Sequence, residues 1–269
     1  MFFKILLAGG GIALLTCCNT GRKEVKENQV QWDSIAVNKS CYAAGVDTLP
    51  GCSLQIGFVY PIDFQDKAIL KSIQQLFVLD CFGNKYADMT PENAVEKYAE
   101  DYINSVREEA KDFDEELPAY EYYEVLNNQI LYNRNQLLSV TVGRETFSGG
   151  AHGAHSHLNR VIDLKTGRIL SEKDLFIDDY RDDLAKIIVD NIAVSNSVDK
   201  VSELENLGFF SINEISPNEN FYVDDTGITY TFNEYEIAAY AIGPVVVRLP
   251  YEQVRHLLRT DSPLAAIAF

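Results

Sequence analysis

Three of the chain's four histidines, His152, His155 and His157, fall inside Ser148-Gly149-Gly150-Ala151-His152-Gly153-Ala154-His155-Ser156-His157. Three imidazoles with an open fourth position are a common zinc arrangement, and the metal would activate a water there. On a strand, His155 and His157 project from one face, and His152 can close from the preceding loop. The spacing supplies no fourth ligand. A simpler reading is that Gly149, Gly150 and Gly153 permit positive φ in a tight turn between two strands. That reading is preferred, and no cofactor and no resident metal are expected.

Other catalytic patterns fail on order or partners. Lys165-Thr166-Gly167 and Ser197-Val198-Asp199-Lys200 each imitate a serine β-lactamase motif, but they stand in reverse order with no Ser-Asp-Asn between them. No Gly-x-Ser-x-Gly elbow or phosphate-cradling loop occurs, and Gly9-Gly10-Gly11 sits in an apolar leader rather than after a strand. Asp112, Asp114, Glu115 and Glu116 read as the solvated end of a helix rather than a glycosidase pair. The tyrosines at 120, 122 and 123 could stack on a sugar, although core packing is the preferred reading.

The chain has 269 residues and a formal net charge of −17, from 23 Lys+Arg against 40 Asp+Glu. With no basic run, this balance argues against nucleic acid and anionic headgroups as partners, and it leaves cationic partners open.

Lys4 followed by an apolar run from Ile5 to Leu15 reads as an export signal, residues 1–17, too short to span a bilayer comfortably. The run ends Leu15-Thr16-Cys17-Cys18, which resembles the lipobox of bacterial lipoproteins. That resemblance implies lipidation at Cys18, with Cys17 as the alternative, and palmitate-type acyl chains as the anchor to the membrane. The expected location is the cell envelope, facing the periplasm or the outer surface. No later stretch approaches eighteen apolar residues. In an exported protein Cys41, Cys52 and Cys81 can form one disulfide; Cys41 with Cys52 would close a short loop, and Cys81 ends an apolar helical pattern and looks buried. All three pairings stay open.

These residues must be positioned by a fold whose elements are partly readable. Residues 18–49 are polar and are expected to form a tether. A strand is expected over 54–60, ending at Pro61. A helix over 69–79 stops at Gly83-Asn84, and another starts with Thr90 as N-cap and Pro91 in its first turn. Long strands are expected over 120–126 and 137–142, joined through Asn133-Arg134-Asn135, with a third over 156–164 turning at Lys165-Thr166-Gly167. Ser171 can cap a short turn, and a helix spans 182–193. Residues 195–220 read as an irregular crossover with a short helix. Strands over 221–223, 228–232 and 245–249 and a helix over 251–258 complete an α+β fold of antiparallel sheets with packed helices.

The order Phe147-Ser148-Gly149-Gly150-Ala151-His152, Val161 to Arg168, Asp174-Leu175-Phe176 and Tyr235 to Pro244 resembles the extracytoplasmic domain of RsiV-type anti-sigma factors. That domain also accompanies PdaC-type peptidoglycan deacetylases. The resemblance covers roughly residues 120–258, within a domain expected over 119–269, and residues 50–118 look like the smaller PdaC-associated subdomain. Ala239 stands where the family usually has Pro. The resemblance implies a noncatalytic envelope domain that binds a lysozyme-like protein or a peptidoglycan fragment. Its landmarks here are Gly149, Gly150, His152, His155, His157, Tyr235, Tyr240 and Gly243. A metal-dependent glycan hydrolase using the histidines and a purely structural lipoprotein are the alternatives.

Overall fold

The computed structural model describes residues 26–42, 51–109 and 121–269. The export signal, Cys17, Cys18, the carboxylates at 112–116 and Tyr120 lie outside these residues. Among the described residues no helix is long and apolar enough to cross a membrane.

The first half builds one large sheet with two helices on one face. Strand β1 (Gln31–Tyr42) pairs antiparallel with β2 (Gly51–Asp63). Helices α1 (Lys67–Phe82) and α2 (Pro91–Glu109) carry the chain to β3 (Glu121–Arg134), followed by β4 (Leu137–Phe147), β5 (Ala154–Asp163) and the short β6 (Arg168–Ile169). The six strands lie in sequence order. All neighbours are antiparallel except β2 and β3, which run parallel because the two-helix crossover returns the chain to the end from which β2 started. The fold is α+β with antiparallel sheets and packed helices, as read, and β2–β3 is the one parallel pair among the described strands.

Local chemistry explains the boundaries. Asp66 caps α1 by accepting from the amides of Ala68 and Ile69, and Gly83 ends it with φ 90°. Thr90 accepts from the Asn93 amide at 3.4 Å ahead of Pro91. The β3–β4 turn consists of Asn135 and Gln136, both at positive φ (56° and 65°), one step later than the expected Asn133-Arg134-Asn135. Two left-handed residues suit the twist of a two-residue hairpin. Asp163 organises the turn after β5 by accepting from the Lys165 amide and the Thr166 hydroxyl, each at 2.9 Å.

The expected tether is corrected in its second half. Residues 31–42 form β1, and Asn28 is buried against the β3–β4 turn, donating to Leu137 O and accepting from the Gln136 amide, each at 2.8 Å. The polar composition misled because β1 is an edge strand that exposes most of its side chains. Cys41 and Cys52, opposite each other in the β1–β2 register, form a disulfide; Cys81 is buried as a free thiol.

A boundary at 118/119 does not separate two cores. Leu54 and Ile56 of β2 and Leu126, Leu138 and Val142 of the following strands share one core with Ile73, Phe77 and Val95 of the helices. Within it, Tyr98 donates to Glu124 at 2.6 Å, and Arg144 links Glu124 to the Cys81 carbonyl, tying α1 and α2 to β3 and β4.

The second half covers the opposite face. Ser171 and Asp174 form a capping box around α3 (Glu172–Leu175), and α4 (Tyr180–Ser195) follows. Strands β7 (Phe221–Val223), β8 (Gly227–Phe232) and β9 (Val245–Pro250) form a second, antiparallel sheet. The Ser139 hydroxyl on β4 donates to Val223 O at 2.7 Å, fastening the two sheets. Leu137 and Val161 of the large sheet join Leu184, Ile188, Tyr230 and Leu249 in the second core. The expected helix over 251–258 is shorter: α5 (Tyr251–Val254) passes into a 3₁₀ turn, and α6 (Ala265–Ala268) closes the chain.

Candidate binding surface at the β4–β5 turn

The glycine-rich segment is the turn between β4 and β5. Gly149 and Gly150 adopt φ 93° and 99°, as the turn reading requires. Gly153 does not have positive φ; it is needed for a close approach, because a Cβ there would stand 3.0 Å from Thr146 O and 3.1 Å from the Tyr123 hydroxyl.

Strand alternation puts Tyr123, Glu145, Phe147 and His155 on one face at this end of the sheet. Tyr123 is opposite Phe147 and Glu145 is opposite His155 in the registers. The Tyr123 and Phe147 rings stack at 6.0 Å, and Tyr123 donates to Glu145 at 3.0 Å. Holding that proton against the Glu145 carboxylate raises the Tyr123 pKa.

The segment between β8 and β9 lies over this face and brings the second landmark to the first. Asn233 accepts from the His157 amide at 2.7 Å and returns a bond to the His157 carbonyl at 3.1 Å. Glu234 accepts from the His155 amide at 3.1 Å, and its other oxygen is 2.8 Å from His155 Nδ1. His155 Nε2 lies 3.5 Å from Glu145, so the imidazole bridges two carboxylates. Tyr240 opens a 3₁₀ turn (Tyr240–Ile242), donates to Gly153 O at 3.0 Å, and stacks on the His152 ring at 3.8 Å with 22° between planes. Tyr235 lies 5.7 Å from Tyr240, and its hydroxyl is 3.3 Å from His152 Nε2.

Tyr235 is 57% exposed and holds φ 63°, a backbone region that bulky side chains seldom adopt. Gly243, at φ 73°, ends the 3₁₀ turn. Ala239 has φ −63° and ψ 151°, a conformation proline would fix, and its amide donates to Gly208 O at 2.9 Å. Alanine thus preserves the local shape while adding a bond that proline could not make.

The landmarks therefore converge, but the three histidines do not. His152 is stacked on Tyr240, His155 is held by Glu234 and Glu145, and His157 is fixed through its main chain. Among the described residues no group of three or more His, Cys, Asp or Glu is placed to hold a metal ion. The three histidines are committed to separate neighbours, so the alternative in which their imidazoles share one metal has no common ligand position in this geometry. Tyr123, Glu145 and Glu234 join the surface without having been singled out as landmarks; only the tyrosine-rich strand had suggested a platform. What results is a mixed surface of aromatic faces and carboxylates, suited to stacking and to cationic or hydroxyl donors.

A family model described as a protein of unknown function (DUF3298) matches residues 173–252, and one described as Deacetylase PdaC matches residues 52–155. No curated protein matches the chain. Among solved structures, a DUF3298 family member from Bacteroides fragilis NCTC 9343 shares 30% sequence identity; the match covers 90% of this chain and 98% of that one, with a TM-score of 0.83. A DUF3298 family protein from Pseudomonas aeruginosa PAO1, at 14% identity, shares the fold over 87% of this chain and 96% of its own, with a TM-score of 0.62. With this identity across nearly the whole of the Bacteroides structure, the chain belongs to the DUF3298 family.

Proposed function

We propose that this chain is a noncatalytic cell-envelope binding protein, lipid-anchored at Cys18, whose surface at the β4–β5 turn engages a basic, lysozyme-like protein. The observation that carries this reading is the stacked pair His152–Tyr240, which joins two distant segments into an aromatic platform flanked by Glu145 and Glu234. Exposed Tyr235 and half-buried Tyr240 supply aromatic contact area at low entropic cost, and the half-exposed Glu145 carboxylate beside them complements Lys and Arg. The net charge of −17 would also steer a cationic partner.

A cell-wall glycan is the second reading, favoured by the same aromatic faces and by the PdaC description of the residue 52–155 match. Titration calorimetry of the full-length chain with a c-type lysozyme and with a muropeptide, each at two salt concentrations, tests both. One-to-one lysozyme binding that survives the higher salt and is lost in Tyr235→Ala supports the proposal. Binding only to the muropeptide supports the second reading. Heat with lysozyme that vanishes with salt reduces the attraction to net charge, and absence of binding to either ligand leaves a structural lipoprotein.

A further inference from the structure

β1 is the first strand of the large sheet and pairs, among the described residues, only with β2. Its other edge presents main-chain groups over a twelve-residue strand, a template for another strand. The orientation of those groups is shown by Ser34, whose amide is satisfied by the Asp33 carboxylate at 2.8 Å instead of by β2. By alternation Ser34, Ala36 and Asn38 face outward.

The central sequence, Asp33-Ser34-Ile35-Ala36-Val37-Asn38-Lys39, is self-complementary when a second copy runs antiparallel about Ala36. Ala36 then meets itself, Ser34 meets Asn38, Ile35 meets Val37 and Asp33 meets Lys39, each unlike pair occurring twice by two-fold symmetry. The outward-facing residues fall in the hydrogen-bonded pairs, as a ladder requires. Asp33 and Lys39 are exposed, and neither has an oppositely charged partner among the described residues. Ile35 and Val37 pack half-buried against the α1–α2 core, so their pairing would prolong an apolar row across the junction. Moving the axis to Ile35 or Val37 sets Lys39 opposite Gln31 or Ile35 and strands both charges. One register therefore satisfies main chain, apolar row and charge together.

We propose that two copies of this chain pair through β1, antiparallel about Ala36, into one continuous sheet. The test uses the full-length chain in detergent. Ala36→Cys is expected to give a cross-linked dimer on mild oxidation, because residues opposed in a hydrogen-bonded pair have Cα atoms about 5.5 Å apart. Ser34→Cys, opposite Asn38, is expected to stay at the wild-type baseline. In sedimentation, Asp33→Lys should weaken self-association about tenfold or more, since it creates two like-charge pairs, and Asp33→Lys/Lys39→Asp should restore it. A wild-type chain that stays monomeric at every concentration overturns the proposal. So does equal cross-linking at positions 34 and 36, or a charge swap that fails to rescue while circular dichroism reports an intact fold.

Discussion

The His152 imidazole and the Tyr240 ring stack face to face, 3.8 Å between centroids, and the Tyr240 hydroxyl reaches Gly153 O beside them. This contact fixes the relative position of two segments that are remote in the chain, and with it the shape of the proposed binding surface.

Tyr240→Ala should abolish or weaken lysozyme binding by tenfold or more, on the scale of an aromatic anchor at about 2 kcal/mol. Tyr240→Phe removes only the bond to Gly153 O and should cost about 1 kcal/mol of stability. Calorimetric affinities set beside thermal midpoints for the two variants separate stacking from support.

Glu234 ties the start of β5 to the loop above it through both the amide and the ring of His155. Glu234→Ala should destabilise the protein by about 1–3 kcal/mol, because it leaves the His155 amide without its charged acceptor. Hydrogen exchange should localise the loosening to residues 148–157 and 233–243, with the α1–α2 core unchanged.

Glu172 is fully buried and accepts from the Tyr180 hydroxyl at 2.8 Å and the Glu219 amide at 2.9 Å. Burial raises its pKa above the unfolded value despite those donors. Folding then favours the protonated form, so the contribution of this group is fully present below the unfolded pKa and is lost as pH rises through the folded one. Urea unfolding of wild type and Glu172→Gln between pH 7 and pH 4 should show wild type gaining on the variant as pH falls. A pH-independent difference would refute the assignment.

Cys81 should resist thiol reagents in the native protein, since it is 1% exposed and burial pushes its pKa up. It should react fully after unfolding. Reducing Cys41–Cys52 should cost about 2–3 kcal/mol, as expected for a short closed loop. Timed alkylation followed by peptide mass analysis reads the first, and urea unfolding with and without reductant reads the second.

Much of the fold was legible because its signals are local. Gly83 behind α1, Thr90-Pro91 before α2 and Ser171 with Asp174 around α3 each occupy the place their chemistry implies. What could not be read depends on distant partners. β1 has the polar composition of a linker and is a strand only because β2 pairs with it, and nothing between residues 64 and 120 announces that β3 will align parallel with β2. The candidate site was half legible. His152, Tyr235 and Tyr240 stand out by type and company, whereas Glu145 and Glu234 are two of 40 acidic residues and gain meaning only through their contacts with His155.

The parallel β2–β3 pair also dictates an order of assembly. The β1–β2 hairpin can close as soon as residue 63 is available, but its apolar face has no lasting cover until the crossover and β3 have arrived. The strand that covers the hairpin thus comes from more than fifty residues further along the chain, so the hairpin's apolar face is completed by a non-local pairing of the kind that slows folding.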